Sequence, residues 1–176
     1  MNNAGLMACP LTYLPAPNDT IESQFGVNHL GPFLFTNLLL SSKTPTTPKM
    51  RIVTLSSIGH TFQPDGHKGI NFAHPGFLLH PPDGGETYER WDAYAQAKTA
   101  AILFAGALMR RGYEAVSVNP GGIATGLQRH LSKEDQIAAG QSCDPIHVER
   151  SRDIAGGLTW YVCSDRLHRR DGREGG

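Results

Sequence analysis

From Ala95 to Met109 the chain reads AQAKTAAILFAGALM, apolar almost all the way round a helix. A helix of that kind cannot rest on a surface with one face in water; it must be covered on more than one side. This requirement forces a layered architecture. One side of the helix can face a sheet, and the other needs a second partner, which another subunit could supply. The helix is expected to begin at Thr87 and run to about Arg111, with Gly112 as the left-handed residue that ends it.

Two stretches supply the sheet. RIVTLSS, 51–57, is rich in β-branched residues and nearly continuous in apolar character, as expected for a parallel strand buried on both faces. EAVSVN, 114–119, reads as a second strand and runs into PGGIAT, 120–125, where Pro and paired Gly permit a close, irregular turn. Ahead of them, residues 6–18 carry three prolines and read as loop. A helix is expected from about 20 to 42, capped by Asn18, Asp19 or Thr20 and kinked at Pro32. Residues 58–86 read as a long loop over the site, and 126–150 as short helix and loop. Asp153–Asp165 reads as a further helix, weakened by Gly156 and Gly157. The charged, Gly-rich tail 166–176 is expected to be disordered, so that 1–165 form part of a single domain.

Within the apolar helix, WDAYAQAKTAAILF (residues 91–104) places Tyr94 and Lys98 four residues apart, on one helix face. A phenol has a pKa near ~10 and exchanges protons poorly at neutral pH. An ammonium beside it favours the phenolate, and a fall of about three pH units would be worth roughly 4 kcal/mol. That would bring the tyrosine into the range of a general acid or base. In open α/β sheets ligands bind beyond the carboxyl ends of the strands. Ser56 and Ser57 occupy such an end, and a hydroxyl there is placed for chemistry or serves as a satisfied polar cap. Asn28, just before Pro32, reads alone as a polar surface position.

The balance of the chain narrows the function classes. Lys+Arg and Asp+Glu both number 16, which argues against binding nucleic acid or a membrane surface through bulk charge. No apolar run is long enough to span a bilayer. Cys9, Cys143 and Cys163 form no C-x-x-C pair and read as reduced thiols, which suits the cytoplasm. His60, His67, His74 and His80 fall in one loop-like stretch without a ligand pattern, so no metal site is expected. A hydrolase using Ser57 would want a G-x-S-x-G elbow, which is absent.

NNAG at residues 2–5, Asn28, Ser57, Tyr94-x-x-x-Lys98 and PGGIAT, in that order over residues 1–131, resemble the short-chain dehydrogenase/reductase family. The separation of Ser57 and Tyr94 by 37 positions, with SSIGH, AYAQAKTAAILF and GGIATGLQRHL, looks like its retinol dehydrogenase-like branch. The resemblance implies a partial Rossmann-type α/β fold, a doubly wound parallel sheet lacking its first βα units and Gly-rich turn. It implies an NAD- or NADP-dependent oxidoreductase interconverting an alcohol and a carbonyl. Tyr94 would be the general acid or base, and Ser57 would hold the substrate oxygen. Lys98 would depress the tyrosine and hold the nicotinamide ribose. Asn28 would position a water in a proton relay. Asn3, Ala4 and Gly5 would line the cofactor site, with Asn3 near the adenine-side ribose, and Pro120, Gly121, Ile123 and Thr125 would contact the nicotinamide end.

No G-x-G-x-x-G or related phosphate-binding turn follows a strand in these 176 residues, so an N-terminally truncated enzyme that binds dinucleotide weakly, and is inactive alone, is expected. The alternative is a non-catalytic fragment acting as an interaction or dimerisation module through the 87–111 helix.

Overall fold

The computed structural model describes residues 1–16, 19–42, 50–62, 69–71, 88–121, 125–133, 135, 148–150 and 160–163. Of the expectations above, those for the tail 166–176, for most of the 58–86 loop and for Ile123 lie outside the described residues.

Four strands form one sheet: β3 (Arg51–Leu55), β4 (Glu114–Val118), β6 (Trp160–Cys163) and β5 (Val148–Arg150), in that spatial order. β3, β4 and β6 run parallel, and β5 pairs antiparallel with β6 at the edge. On the other edge of β3, Asn2 makes a parallel bridge to Thr54. Its N–H donates to the Val53 carbonyl (2.7 Å), and its carbonyl accepts from Leu55 N–H (3.2 Å). NNAG therefore lies at the end of a strand-like pairing. A separate hairpin joins β1 (Tyr13–Ala16) to β2 (Asp19–Glu22).

The sheet corrects two readings. Trp160–Cys163 is a strand, not part of a helix over Asp153–Asp165. Its sequence WYVC is aromatic and β-branched, and Gly156 and Gly157 had weakened the helical alternative. In β3 and β4, Ile52, Thr54, Ala115 and Ser117 are buried on one face, whereas Val53, Leu55, Val116 and Val118 on the other are half-buried.

The helix expected over 20–42 starts later. Asp19–Glu22 is spent on β2, and Glu22, not Asn18, Asp19 or Thr20, caps the short α1 (Ser23–Phe25). Its carboxylate accepts from Gln24 N–H (2.8 Å) and Phe25 N–H (2.7 Å). The chain then widens into a π-turn over Gly26–Leu30, where Gly31 N–H reaches back five residues to the Gly26 carbonyl, before α2 (Gly31–Ser41). The break expected at Pro32 takes this form: Pro32 has no N–H to give to the Asn28 carbonyl one α-turn earlier.

α3 (Arg90–Arg110) is the apolar helix. It ends in a Schellman motif: Gly112, at φ 83°, donates to the Met109 carbonyl, and Tyr113 N–H donates to that of Leu108. One side packs on the sheet, where Phe104 and Leu108 join Ile52 and Ala115, with Leu40 from α2. The other side meets the α1–α2 arm. Phe25, Ala97 and Ala100 cluster there, and the Phe33 and Phe104 rings lie 5.1 Å apart. The second partner this helix required is thus largely its own chain. Leu103 alone among its large apolar residues is well exposed, whereas α2 exposes Phe33, Leu34, Phe35, Leu38 and Leu39.

Candidate active site

The site forms where β3 ends against the middle of α3. Ser56 N–H adds one more bond to the Val118 carbonyl, and its hydroxyl donates to the Lys98 carbonyl (2.9 Å). Lys98 Nζ donates in return to the Leu55 carbonyl (3.1 Å). These two bonds staple helix to strand end and fix Lys98 at the site. Ser57 is in extended conformation and caps a single 3-10 turn, Ile58–Thr61, its Oγ accepting from Gly59 N–H (3.1 Å). The Ser57 hydroxyl and the Tyr94 ring both border Gly59: a Cβ there would lie 3.3 Å from Ser57 Oγ and 2.7 Å from Tyr94 Cε1. Ser57, Tyr94 and Lys98 therefore meet, with Lys98 Nζ 5.5 Å from the Tyr94 ring centroid.

The electrostatics differ from expectation. Burial pushes the Tyr94 phenol above its ordinary value, and the nearby Ser57 hydroxyl opposes that only in part. Lys98 is itself desolvated, which lowers its pKa to about 8, and its ammonium donates to the Leu55 carbonyl.

Asn28 is buried, not a surface position. Its Oδ1 accepts from Leu6 N–H (2.7 Å), and its Nδ2 donates to the Leu6 carbonyl (2.9 Å). This clamp brings residues 3–5 beside the helix. A Cβ at Gly5 would lie 3.4 Å from Asn28 Oδ1, 3.9 Å from Lys98 Nζ and 3.7 Å from Leu127 Cδ1. Leu127 belongs to the 3-10 turn Gly126–His130, capped by Thr125, whose Oγ1 accepts from Leu127 N–H (3.2 Å). The segment after β4 so reaches the same place. Gly121 adopts φ 76°, and its N–H bonds Asn119 Oδ1. Asn3, Ala4 and Thr125 are exposed, and Pro120 and Gly121 are half-buried.

Three features escaped the sequence reading. Gly59 lies against the Tyr94 ring, and only its place two residues after a strand-end serine hinted at this. Trp91 bridges Tyr94 (6.2 Å between ring centroids) and the exposed Phe62 (5.7 Å). Glu22, fully buried, also accepts from the Tyr88 hydroxyl (2.8 Å), and Gln24 ties Tyr88, Arg90 and Ala8 together. Of the histidines in the 58–86 stretch, His60 is described, with Nδ1 2.7 Å from the Ser57 carbonyl. Among the described residues no helix is long and apolar enough to cross a membrane.

Known proteins align with most of this chain. It is 41% identical over 142 residues to the short-chain dehydrogenase/reductase prx1 of Penicillium rubens, covering 76% of this chain and 37% of that protein. It is 42% identical over 140 residues to the chloroplastic short-chain dehydrogenase TIC 32 A of Brassica napus, covering 74% and 40%. With retinol dehydrogenase 13 of Homo sapiens it shares 37% identity over 168 residues, covering 92% and 46%. The aligned region thus spans less than half the length of each of these curated relatives. No protein-family model matches the chain.

Proposed function

Because this chain belongs to the short-chain dehydrogenase/reductase family, we propose that its site interconverts an alcohol and a carbonyl with NAD or NADP, with Tyr94 as the proton-transfer group. The observation that carries this reading is the meeting of Ser57, Tyr94 and Lys98 at the carboxyl end of β3. The residues present fit a nicotinamide nucleoside: the space a Cβ at Gly5 would fill lies between Asn28 Oδ1 and Lys98 Nζ. Lys98 would hold the nicotinamide ribose and the Asn3–Gly5 turn would line the cofactor site, Asn3 near the adenine-side ribose, with Pro120, Gly121, Ile123 and Thr125 toward the nicotinamide. The cofactor, when bound, supplies the hydride.

The chain's own residues do the rest. Ser57 holds the substrate oxygen and donates to it as charge develops. Tyr94 gives its phenolic proton to that oxygen. A phenol held protonated by burial suits the reductive direction at neutral pH. Lys98 lies close enough for its charge to favour the phenolate once that proton leaves. Asn28 acts through Leu6, fixing the turn that faces Lys98, and a relay water would have to share a side chain already committed to that clamp.

The test is carbonyl reduction by the purified chain with NADPH and with NADH, cofactor binding being followed by fluorescence. Retinaldehyde is the first substrate to try, given the names of the relatives. Turnover is expected to fall 10²–10⁴-fold in Tyr94→Phe. Turnover unchanged by that substitution would sink the assignment. Dinucleotide binding is expected to be weak, since these 176 residues hold no G-x-G-x-x-G motif for the pyrophosphate.

The exposed apolar face of α2 favours a second reading, an interaction module that self-associates. The surface is chiefly α2 with Leu103, rather than the 87–111 helix at large. Light scattering of Leu34→Glu/Leu38→Glu against the unsubstituted chain tests it. An equal mass for both excludes this face.

A further inference from the structure

Resting on the catalytic reading above, we propose that Gly59 is a positioning residue for the Ser57–Tyr94 pair. Two contacts converge on it. A Cβ built at Gly59 would lie 2.7 Å from Tyr94 Cε1 and 3.0 Å from Cδ1, closer than a Cβ carbon can approach a ring. The same Cβ would lie 3.3 Å from Ser57 Oγ. The Tyr94 ring cannot swing away cheaply, because Tyr94 is 2% exposed, its neighbours on α3 are buried, and Trp91 stands edge-on to its ring. The 3-10 turn moves as a unit, because His60 N–H donates to the Ser57 carbonyl (3.1 Å) and Phe62 N–H to the Gly59 carbonyl (3.1 Å), so a retreat of Gly59 carries Ser57 with it.

The second contact is the Gly59 amide. It donates to Ser57 Oγ and so occupies one lone-pair direction of that hydroxyl. A hydroxyl whose acceptor side is taken by a fixed N–H has fewer rotor positions open to its proton. The remaining positions include those toward the phenol or a substrate oxygen. Gly59 thus sets the distance of the ring from the turn and the orientation of the serine with one residue. It touches both groups without taking part in the chemistry.

The experiment compares Gly59→Ala with Gly126→Ala in the whole chain. At Gly126 an added Cβ meets nothing within 4 Å. Two readouts are followed after circular dichroism shows each variant folded. The first is the ionisation of Tyr94, taken as the 295 nm titration minus that of the matching Tyr94→Phe protein. The second is kcat, KM and the pH profile of carbonyl reduction. Expected for Gly59→Ala is a displaced Tyr94 titration, kcat lower by ~10–100-fold, as about 1 Å of misplacement produces, and KM within about twofold. Gly126→Ala should match the parent in all of these. A folded Gly59→Ala with the parent's Tyr94 titration and kcat overturns the proposal. If the parent shows no turnover even at saturating dinucleotide, the catalytic reading is what fails, and Gly59 is judged on the titration alone: displacement supports it, and coincidence overturns it. If Gly59→Ala does not fold, it is introduced beside Tyr94→Ala. Restored folding with the ring removed supports the contact, and continued failure overturns it.

Discussion

Lys98 is 5% exposed, and its ammonium donates to the Leu55 carbonyl. Its burial costs the folded state, and the cost is measurable by Lys98→Met, which keeps the length of the side chain and removes the charge. The fall of its pKa from 10.5 to about 8 is worth roughly 3 kcal/mol in favour of the neutral amine. Below pH 8 both folded and unfolded chains carry the proton, and the full penalty is present. As pH rises from about 8 to 10.5 the folded chain releases its proton first, the unfolded chain binds more protons, and stability rises. At pH 7 Lys98→Met escapes the penalty but forfeits the bond to the Leu55 carbonyl, worth about 1.5 kcal/mol. It should therefore be more stable than the parent by about 1–2 kcal/mol, while losing turnover, as expected where a functional group is held at the expense of stability. Urea unfolding followed by circular dichroism at intervals from pH 7 to 10.5 gives both curves. Their difference should close and then reverse across that range, since other titrating groups contribute equally to each. Parallel curves across pH 8–10.5 would refute the reasoning, because they would mean that Lys98 titrates alike folded and unfolded.

Two further outcomes follow from burial. His29 sits among Phe25, Phe33 and Phe104, and desolvation lowers its pKa from 6.5 to about 4. Stability should be lost as pH falls from 6.5 toward 4, by roughly 3 kcal/mol, and His29→Phe should flatten that acid limb of the unfolding curve. Leu108 is fully buried among Leu40, Ile52, Phe104 and Ala115. Leu108→Ala should cost about 3–5 kcal/mol, read as a lower urea midpoint at an unchanged m-value.

Glu22 shows why the arm before α2 was misread. Asn18, Asp19 and Thr20 are good cap residues by type, and the run after them has helical spacing. The capping carboxylate is nevertheless Glu22, because Asp19–Glu22 is claimed by pairing with Tyr13–Ala16. Local propensity cannot see that pairing. Trp160–Cys163 repeats the lesson: its stripe fits a helix, but a place beside β4 makes it a strand. The pKa of Tyr94 was misjudged for a related reason. Spacing showed a cation beside a phenol, but not that both would be desolvated or that the ammonium would turn to Leu55.

By itself the sequence determined what depends on neighbours along the chain. Tyr94 and Lys98 share a helix face because they are four residues apart, the helix ends at Gly112 because glycine tolerates φ > 0, and RIVTL forms a strand that delivers Ser57 at its end. Only the tertiary structure decided what depends on pairs distant in sequence: Asn28 on Leu6, Tyr88 on Glu22 across 66 positions, and Gly59 under the Tyr94 ring. Hydrogen-bond partners and ångström clearances are set by how the layers pack, and periodicity carries no information about which buried group will face which.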